Sequence, residues 1–127
     1  MKIDTQPFHD LRTELKLGLN GIHGSRLKGL YLYGSYARRE EEEESDVDIL
    51  IVLDQFDIYA REVDRTGELG SDLSLKYGIT VSQVFIRESD WLNGDTPFLS
   101  NVREELSHCE HAGFGIVPWD LIFQSVL

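Results

Sequence analysis

The sequence predicts an α/β (α+β) fold, with a small mixed β-sheet flanked by helices in one domain spanning residues 1–127. Three observations lead to this prediction. Apolar residues recur at helical spacing near the start of the chain, and later runs are rich in β-branched residues. The segments also follow one another in the order helix, strand, strand, helix, strand, helix, which is typical of such folds. A chain of 127 residues fits one buried core and leaves little room for a second.

The first half of the chain contains one predicted helix and two predicted strands. Residues 7–23 are expected to form an amphipathic helix that Gly24 ends, with an inward apolar face of Phe8, Leu11, Leu15, Leu19 and Ile22. Residues 30–33 form a short β-prone run stopped by Gly34. Residues 47–53 are almost continuously apolar and β-branched, which is typical of a strand buried on both faces.

The second half adds a long helix, a third strand and shorter elements. A helix is predicted over residues 57–77, although two internal glycines weaken it, and its candidate inward positions are Ile58, Val63, Leu69, Leu73 and Leu75. Residues 79–86 are predicted to form the third strand, followed by a turn at 91–93. Pro97 is expected to begin a helix through residue 106. A last short strand is predicted at 114–117, with Pro118 interrupting it.

Composition and charge exclude several classes of protein. The formal net charge is −11, and an acidic surface repels nucleic-acid backbones, so general nucleic-acid binding is not expected. A nucleotide that arrives with a divalent cation remains compatible with this charge. No apolar run reaches the roughly 18 residues of a membrane-spanning helix, and the N-terminus lacks the apolar core of a signal peptide. With a single cysteine, Cys109, the sequence suggests a cytoplasmic protein.

The candidate site is a Gly-Ser pair followed by two aspartates. Gly34-Ser35 follows an apolar run, and backbone N–H groups beside a serine hydroxyl at a helix start can bind phosphate. Ten residues later come Asp46 and Asp48, which should project from the same face of a strand entrance. Two carboxylates placed in this way suit Mg²⁺, including a two-metal arrangement that activates a hydroxyl and stabilises leaving pyrophosphate. Of the three Gly-Ser pairs in the chain, only Gly34-Ser35 has this spacing to an Asp-x-Asp.

The pattern Gly-Ser, ten residues, Asp-Val-Asp, in the context YLYGSYARRE…SDVDILIVL, resembles the DNA polymerase beta-like nucleotidyltransferase superfamily. The likeness to its minimal nucleotidyltransferases covers residues 8–107, including the later TPFLSNVREEL. The resemblance implies Mg²⁺-dependent transfer of a nucleoside monophosphate from a triphosphate, with ATP the expected donor. Gly34 and Ser35 would bind the triphosphate, and Asp46 and Asp48 would be the catalytic, metal-binding residues.

The resemblance also implies a protein partner. Many minimal members act as antitoxins that pair with a helical HEPN-type toxin, in some cases adenylylating it, so a toxin partner or a homo-oligomer is expected. Arg38 and Arg39 are candidate nucleotide-binding residues, with pairing to Glu40–Glu44 as the alternative role. The glutamate run is interpreted as a solvent-facing spacer that sets the distance from Ser35 to Asp46.

One departure from the family pattern bears on catalysis. Relatives usually carry a third carboxylate on the next strand, but residues 79–86 contain no acid, and Ser82 or Gln83 occupies the expected position. Nearby acids that could substitute are Glu68, Asp72 and Glu88, and the spacing favours none of them. The sequence therefore favours an enzyme and leaves an alternative open: a catalytically degenerate nucleotidyltransferase fold that acts as a partner-binding antitoxin or a regulatory nucleotide-binding module.

Overall fold

The computed structural model describes residues 5–33, 46–94, 96–100 and 117–118. Helices and strands follow the predicted order, with one further short helix after the third strand. The elements are α1 (Gln6–His23), a 3-10 helix (Gly24–Arg26), β1 (Leu27–Tyr33), β2 (Val47–Leu53), α2 (Tyr59–Tyr77), β3 (Val81–Arg87), α3 (Glu88–Asn93) and β4 (Val117–Pro118). Residues 97–100 are also helical. The fold class predicted from the sequence is confirmed.

The four strands form one mixed sheet in the order β3-β2-β1-β4. β1 runs antiparallel to β2 and to β4, whereas β2 and β3 are parallel. Two parallel neighbours need a crossover connection, and α2 supplies it. β2 therefore lies between two strands, which explains why its sequence is apolar along almost its whole length.

The main core lies between one face of the sheet and the helices α1 and α2. Because side chains alternate along a strand, every second residue of β2 points into this core. These residues are fully buried, and they are Val47, Ile49, Ile51 and Leu53. From α1 the predicted residues Phe8, Leu11, Leu15 and Leu19 are also fully buried.

The opposite face of the sheet is aromatic. Leu50 is buried there against a cluster of partly buried side chains, which are Tyr31, Tyr33, Val84, Ile86 and Trp91. The rings of Tyr31 and Trp91 have centroids 5.0 Å apart, and those of Tyr33 and Phe98 lie edge to face at 5.7 Å. The sheet therefore has a helix-covered face and an aromatic face.

Several predicted boundaries were wrong by a few residues. β1 begins at Leu27 rather than at residue 30, since the pairing with β2 continues past an irregularity between Leu27 and Gly29. α3 is a six-residue helix from Glu88, where only a turn at 91–93 was predicted. Pro118 pairs with Tyr31 inside β4 and does not interrupt it, which an edge strand tolerates. The predicted segments 101–106 and 114–116 lie outside the described residues.

No helix in the described ranges is long and apolar enough to cross a membrane.

The buried face of α2 differs from the predicted one. Its buried residues are Glu62, Thr66, Gly70 and Leu73. Of the predicted inward residues, Leu73 is buried and Leu69 packs at the core edge, but Ile58, Val63 and Leu75 are exposed. Gly70 faces β3 closely, because a Cβ at this position would lie 2.7 Å from Nε2 of Gln83. The face of α2 that packs on the sheet is therefore determined by shape and by polar contacts as well as by hydrophobicity.

The buried Glu62 lies in a charged cluster that joins α1, the 3-10 helix and α2. Its carboxylate is 2.5 Å from Nη1 of Arg65 and 3.5 Å from Nη1 of Arg26. Nδ1 of the fully buried His23 lies 3.8 Å away, beyond hydrogen-bond distance. Burial lowers the pKa of His23 below its ordinary value, and the attraction of Glu62 opposes this effect only in part. The buried residue at the end of α1 is thus His23. The sequence predicted Ile22 as the last inward residue of this helix, but Ile22 is 38% exposed.

α2 also covers the outer edge of β3. The hydroxyl oxygens of Ser74 and Tyr59 accept hydrogen bonds from the backbone N–H groups of Val81 and Phe85, at 3.3 and 3.2 Å. An edge strand with unpaired N–H groups is a template for unwanted pairing, so these bonds protect the sheet.

A pair of leucines two residues apart on α2 tests the observed helix face. We expect Leu73→Ala to lower the free energy of unfolding by about 2–5 kcal/mol, because it leaves a cavity in the core. Leu75→Ala should change it by no more than about 0.5 kcal/mol, since Leu75 is 83% exposed. Urea denaturation of both variants measures the difference. Similar losses would mean that α2 packs through the face predicted from its sequence.

The lowered pKa of His23 gives a signed pH dependence. The unfolded chain binds a proton at this residue at higher pH than the folded protein does, so stability falls as pH drops below about 6.5. His23→Leu should remove this contribution, which has a slope of at most about 1.4 kcal/mol per pH unit. His9→Gln on the same helix is the control and should retain it. Urea titrations between pH 8 and 5 measure the slopes, and equal slopes in wild type and His23→Leu would contradict the burial argument.

Candidate functional site

Asp46 and Asp48 flank the first residue of β2. The backbone N–H of Val47 donates to the carbonyl oxygen of Thr80 at 2.9 Å, which fixes the entrance of β2 beside β3. The side chain of Val47 is fully buried in the helix-side core. By the alternation of a strand, Asp48 therefore stands on the aromatic face, where it is half-buried. Asp46 lies just before the first residue of β2 and is exposed.

The antiparallel pairing of β1 and β2 places Tyr33 directly opposite Asp48. Gly34, the first residue of the predicted Gly-Ser pair, follows Tyr33 directly in the chain. Tyr33 was not among the site residues predicted from the sequence, although its position just before Gly34 was the available signal. Gly34, Ser35, Arg38 and Arg39 themselves lie outside the described residues, and their roles stay predictions.

The register of β2 with β3 identifies the residue that stands where relatives usually carry a third carboxylate. Asp48 pairs with Ser82, and Ile49 pairs with Gln83. Ser82 therefore shares the face of Asp48, whereas Gln83 points to α2, where its amide lies against Gly70. Of the two candidates that the sequence left open, only Ser82 stands next to Asp48 on the same face of the sheet. Its hydroxyl is a weaker metal ligand than a carboxylate and a much weaker base.

The three nearby acids do not replace a carboxylate at this position. Glu68 and Asp72 belong to α2, which packs on the other face of the sheet, and both are exposed. Glu88 follows Arg87, and Arg87 pairs with Leu53 at the far end of β2. Consistent with these placements, the described residues include no cluster of three or more His, Cys, Asp or Glu side chains able to hold a metal ion.

The donor set of Asp46 and Asp48 still fits magnesium. Mg²⁺ prefers oxygen ligands, is commonly held by one or two carboxylates, and completes its coordination with water and substrate phosphates. One exposed and one half-buried carboxylate at an open strand end leave room for such ligands. The arrangement can hold a metal–phosphate complex against the sheet, with Tyr33 on one side of Asp48 and Ser82 on the other.

Comparison with known proteins identifies the class to which this fold and site belong. Residues 22–92 match the polymerase beta nucleotidyltransferase family, and this region includes β1, β2, α2, β3 and both aspartates. Because the match covers more than half of the chain, the protein belongs to this family. The resemblance inferred from the Gly-Ser and Asp-x-Asp spacing is confirmed at the level of the family.

Two proteins of Methanocaldococcus jannaschii, each provisionally named a protein adenylyltransferase, are similar in sequence. One is 36% identical over 93 residues, which is 68% of this chain and 82% of the relative. The other is 34% identical over 76 residues, or 60% of this chain and 76% of the relative. Among solved structures, a toxin-antitoxin crystallised with AMP-PNP matches 91% of this chain and 94% of its own, with 16% identity and a TM-score of 0.48.

Proposed function

We propose that this protein is a metal-dependent protein adenylyltransferase that transfers AMP from ATP to a hydroxyl group of a protein acceptor. The observation that carries the proposal is the position of Asp48, next to Asp46 at a strand end and opposite the residue that precedes Gly34-Ser35. Membership of the nucleotidyltransferase family supports the reaction type. The names of the two archaeal relatives support AMP and a protein as the transferred group and the acceptor.

In the proposed reaction the acceptor oxygen forms a bond to the α-phosphorus of ATP, and the bond from that phosphorus to the β-phosphate oxygen breaks. Pyrophosphate leaves, and the hydroxyl proton passes to solvent or to a base. Asp46 and Asp48 would hold Mg²⁺, which supplies positive charge to the triphosphate. Gly34 and Ser35 would bind phosphate oxygens, and Arg38 and Arg39 would add charge beside them.

We further propose that this protein is an antitoxin that acts in the cytoplasm. Residues 1–127 would form its single domain. Its partner, and the acceptor of AMP, would be a HEPN-type toxin. This part of the proposal follows from the resemblance to minimal nucleotidyltransferases. The aspartate pair, one exposed and one half-buried, lies at an open strand end that a second protein can reach, as such an acceptor requires.

Ser82 supports a second candidate function. With a hydroxyl in place of the third carboxylate, the site can hold a metal–nucleotide complex and lack the base that activates the acceptor. The protein would then neutralise its partner by binding, or respond to nucleotide, without transferring AMP.

Removing the aspartate pair tests nucleotide binding, which both candidate functions share. We expect Asp46→Asn/Asp48→Asn to weaken binding of Mg²⁺–ATP by about tenfold or more, because the carboxylates anchor the metal. Asp10→Asn/Asp64→Asn removes two exposed helix carboxylates and is the charge-matched control, with unchanged affinity expected. Isothermal calorimetry measures all three proteins. If wild type and both variants bind equally, the site is not the aspartate pair.

Restoring a carboxylate at the third position separates the enzyme from the degenerate module. With labelled ATP and the protein encoded by the neighbouring open reading frame, wild type should transfer label, and Ser82→Asp should increase the rate about tenfold or more. Ser82→Asn, similar in size and uncharged, should give no increase. A tight complex without transfer by wild type would favour the non-catalytic function. Equal rates for the two variants would show that the third position is not at Ser82.

A further inference from the structure

A cleft lies at the end of the sheet opposite the aspartates. It has a volume of about 220 Å³ and is formed by the loop after β2 and the start of α2. β2 has seven residues, so its two ends are separated by roughly 20 Å. The cleft is therefore too far from Asp46 and Asp48 to belong to the proposed nucleotide site.

Three arginines line this cleft in a chain whose net charge is −11. Arg26 comes from the 3-10 helix, whereas Arg61 and Arg65 are one turn apart on α2, where side chains at i and i+4 are neighbours. The acids that line the same cleft are Glu62 and Asp57. Asp54 lies near Nε of Arg26, at 3.7 Å, and does not line the cleft. The lining itself thus has more positive than negative charge.

The buried carboxylate of Glu62 orients two of these arginines without using all their donors. It binds Nη1 of Arg65 at 2.5 Å and lies 3.5 Å from Nη1 of Arg26. Nη2 of Arg26 also donates to the carbonyl oxygen of Gln55 at 3.0 Å. A guanidinium has five N–H donors, so Arg65 keeps several for a ligand. Within the described part of the chain, the side chain of Arg61 makes no hydrogen bond or ion pair.

The wall of the cleft is fixed from its other side. Nε of Arg87 donates to the carbonyl oxygen of Phe56 at 2.8 Å, and its guanidinium lies 4.4 Å from the centre of the Phe56 ring. The residue that caps α2 is Ile58, which offers no side-chain acceptor to the first-turn N–H groups. The positive end of a 19-residue helix therefore adds to the field of the arginines.

We propose that this cleft binds a phosphate-type oxyanion, with Arg61 and Arg65 as its principal donors and Glu62 holding Arg65 in place. Guanidinium groups match the geometry of phosphate oxygens and form charge-assisted hydrogen bonds with them. The ligand is either free inorganic phosphate or the phosphomonoester of a small molecule, since both present the same group to the arginines.

Calorimetry with inorganic phosphate tests the site in the Asp46→Asn/Asp48→Asn background. EDTA is present and divalent cations are absent, so the result does not depend on the proposed transferase function. We expect phosphate to bind, and to bind about tenfold more weakly after Arg61→Gln/Arg65→Gln. Lys28→Gln/Lys76→Gln, which removes two exposed cations elsewhere, should leave the affinity unchanged. Arg61→Gln alone should weaken binding and leave folding intact, because Arg61 is exposed.

Two further titrants define the ligand. If AMP binds through Arg61 and Arg65 more tightly than phosphate, the cleft selects a phosphomonoester; equal or weaker binding of AMP shows that the cleft recognises the phosphate group and that the nucleoside adds no favourable contact. Acetate should bind at least about tenfold more weakly than phosphate, because it carries one charge and two oxygens. The proposal is overturned if phosphate fails to bind, if both double variants bind it equally, or if acetate binds as well as phosphate.

Discussion

The register of β2 with its two neighbouring strands is the constraint on which both the core and the candidate site depend. Val47, Ile49, Ile51 and Leu53 are fully buried on the helix side, and each such side chain contributes about 1.5–3 kcal/mol by its burial. A slip of one residue would turn all four away from the core and direct Asp48 into it. The energy that fixes the core therefore also fixes Asp48 between Tyr33 and Ser82.

Charge is distributed unevenly between the two ends of this strand. The entrance of β2 has the aspartate pair, which suits a cation, and the exit leads to the cleft lined by arginines, which suits an anion. The net charge of −11 belongs to the whole chain and does not show this difference between the two ends of β2. Charge repulsion explains why general nucleic-acid binding is not expected, but the local groups decide which small ligands each end can attract.

α2 shows how polar residues can occupy a buried helix face. Glu62 is 2% exposed and remains buried because two arginines lie against its carboxylate, since an unpaired buried charge is costly. Thr66 is 1% exposed, and its hydroxyl donates to the carbonyl oxygen of Glu62 at 3.0 Å. With these residues inward, Val63 and Leu75 of the same helix remain exposed. Periodicity analysis counts apolar residues, so it cannot detect a face held by ion pairs and hydrogen bonds.

The sequence alone determined the order of the main elements, the apolar face of α1 from Phe8 to Leu19, the bounds of β2 and the family. These features depend on local patterns: helical spacing, a continuous apolar run, and the ten residues between Ser35 and Asp46. Only the tertiary structure decided that Ser82 rather than Gln83 stands beside Asp48, that Glu62 and His23 are buried, and that Arg26 joins Arg61 and Arg65 in one cleft. Each of these depends on strand register or on contacts between segments far apart in the chain, which no local pattern specifies.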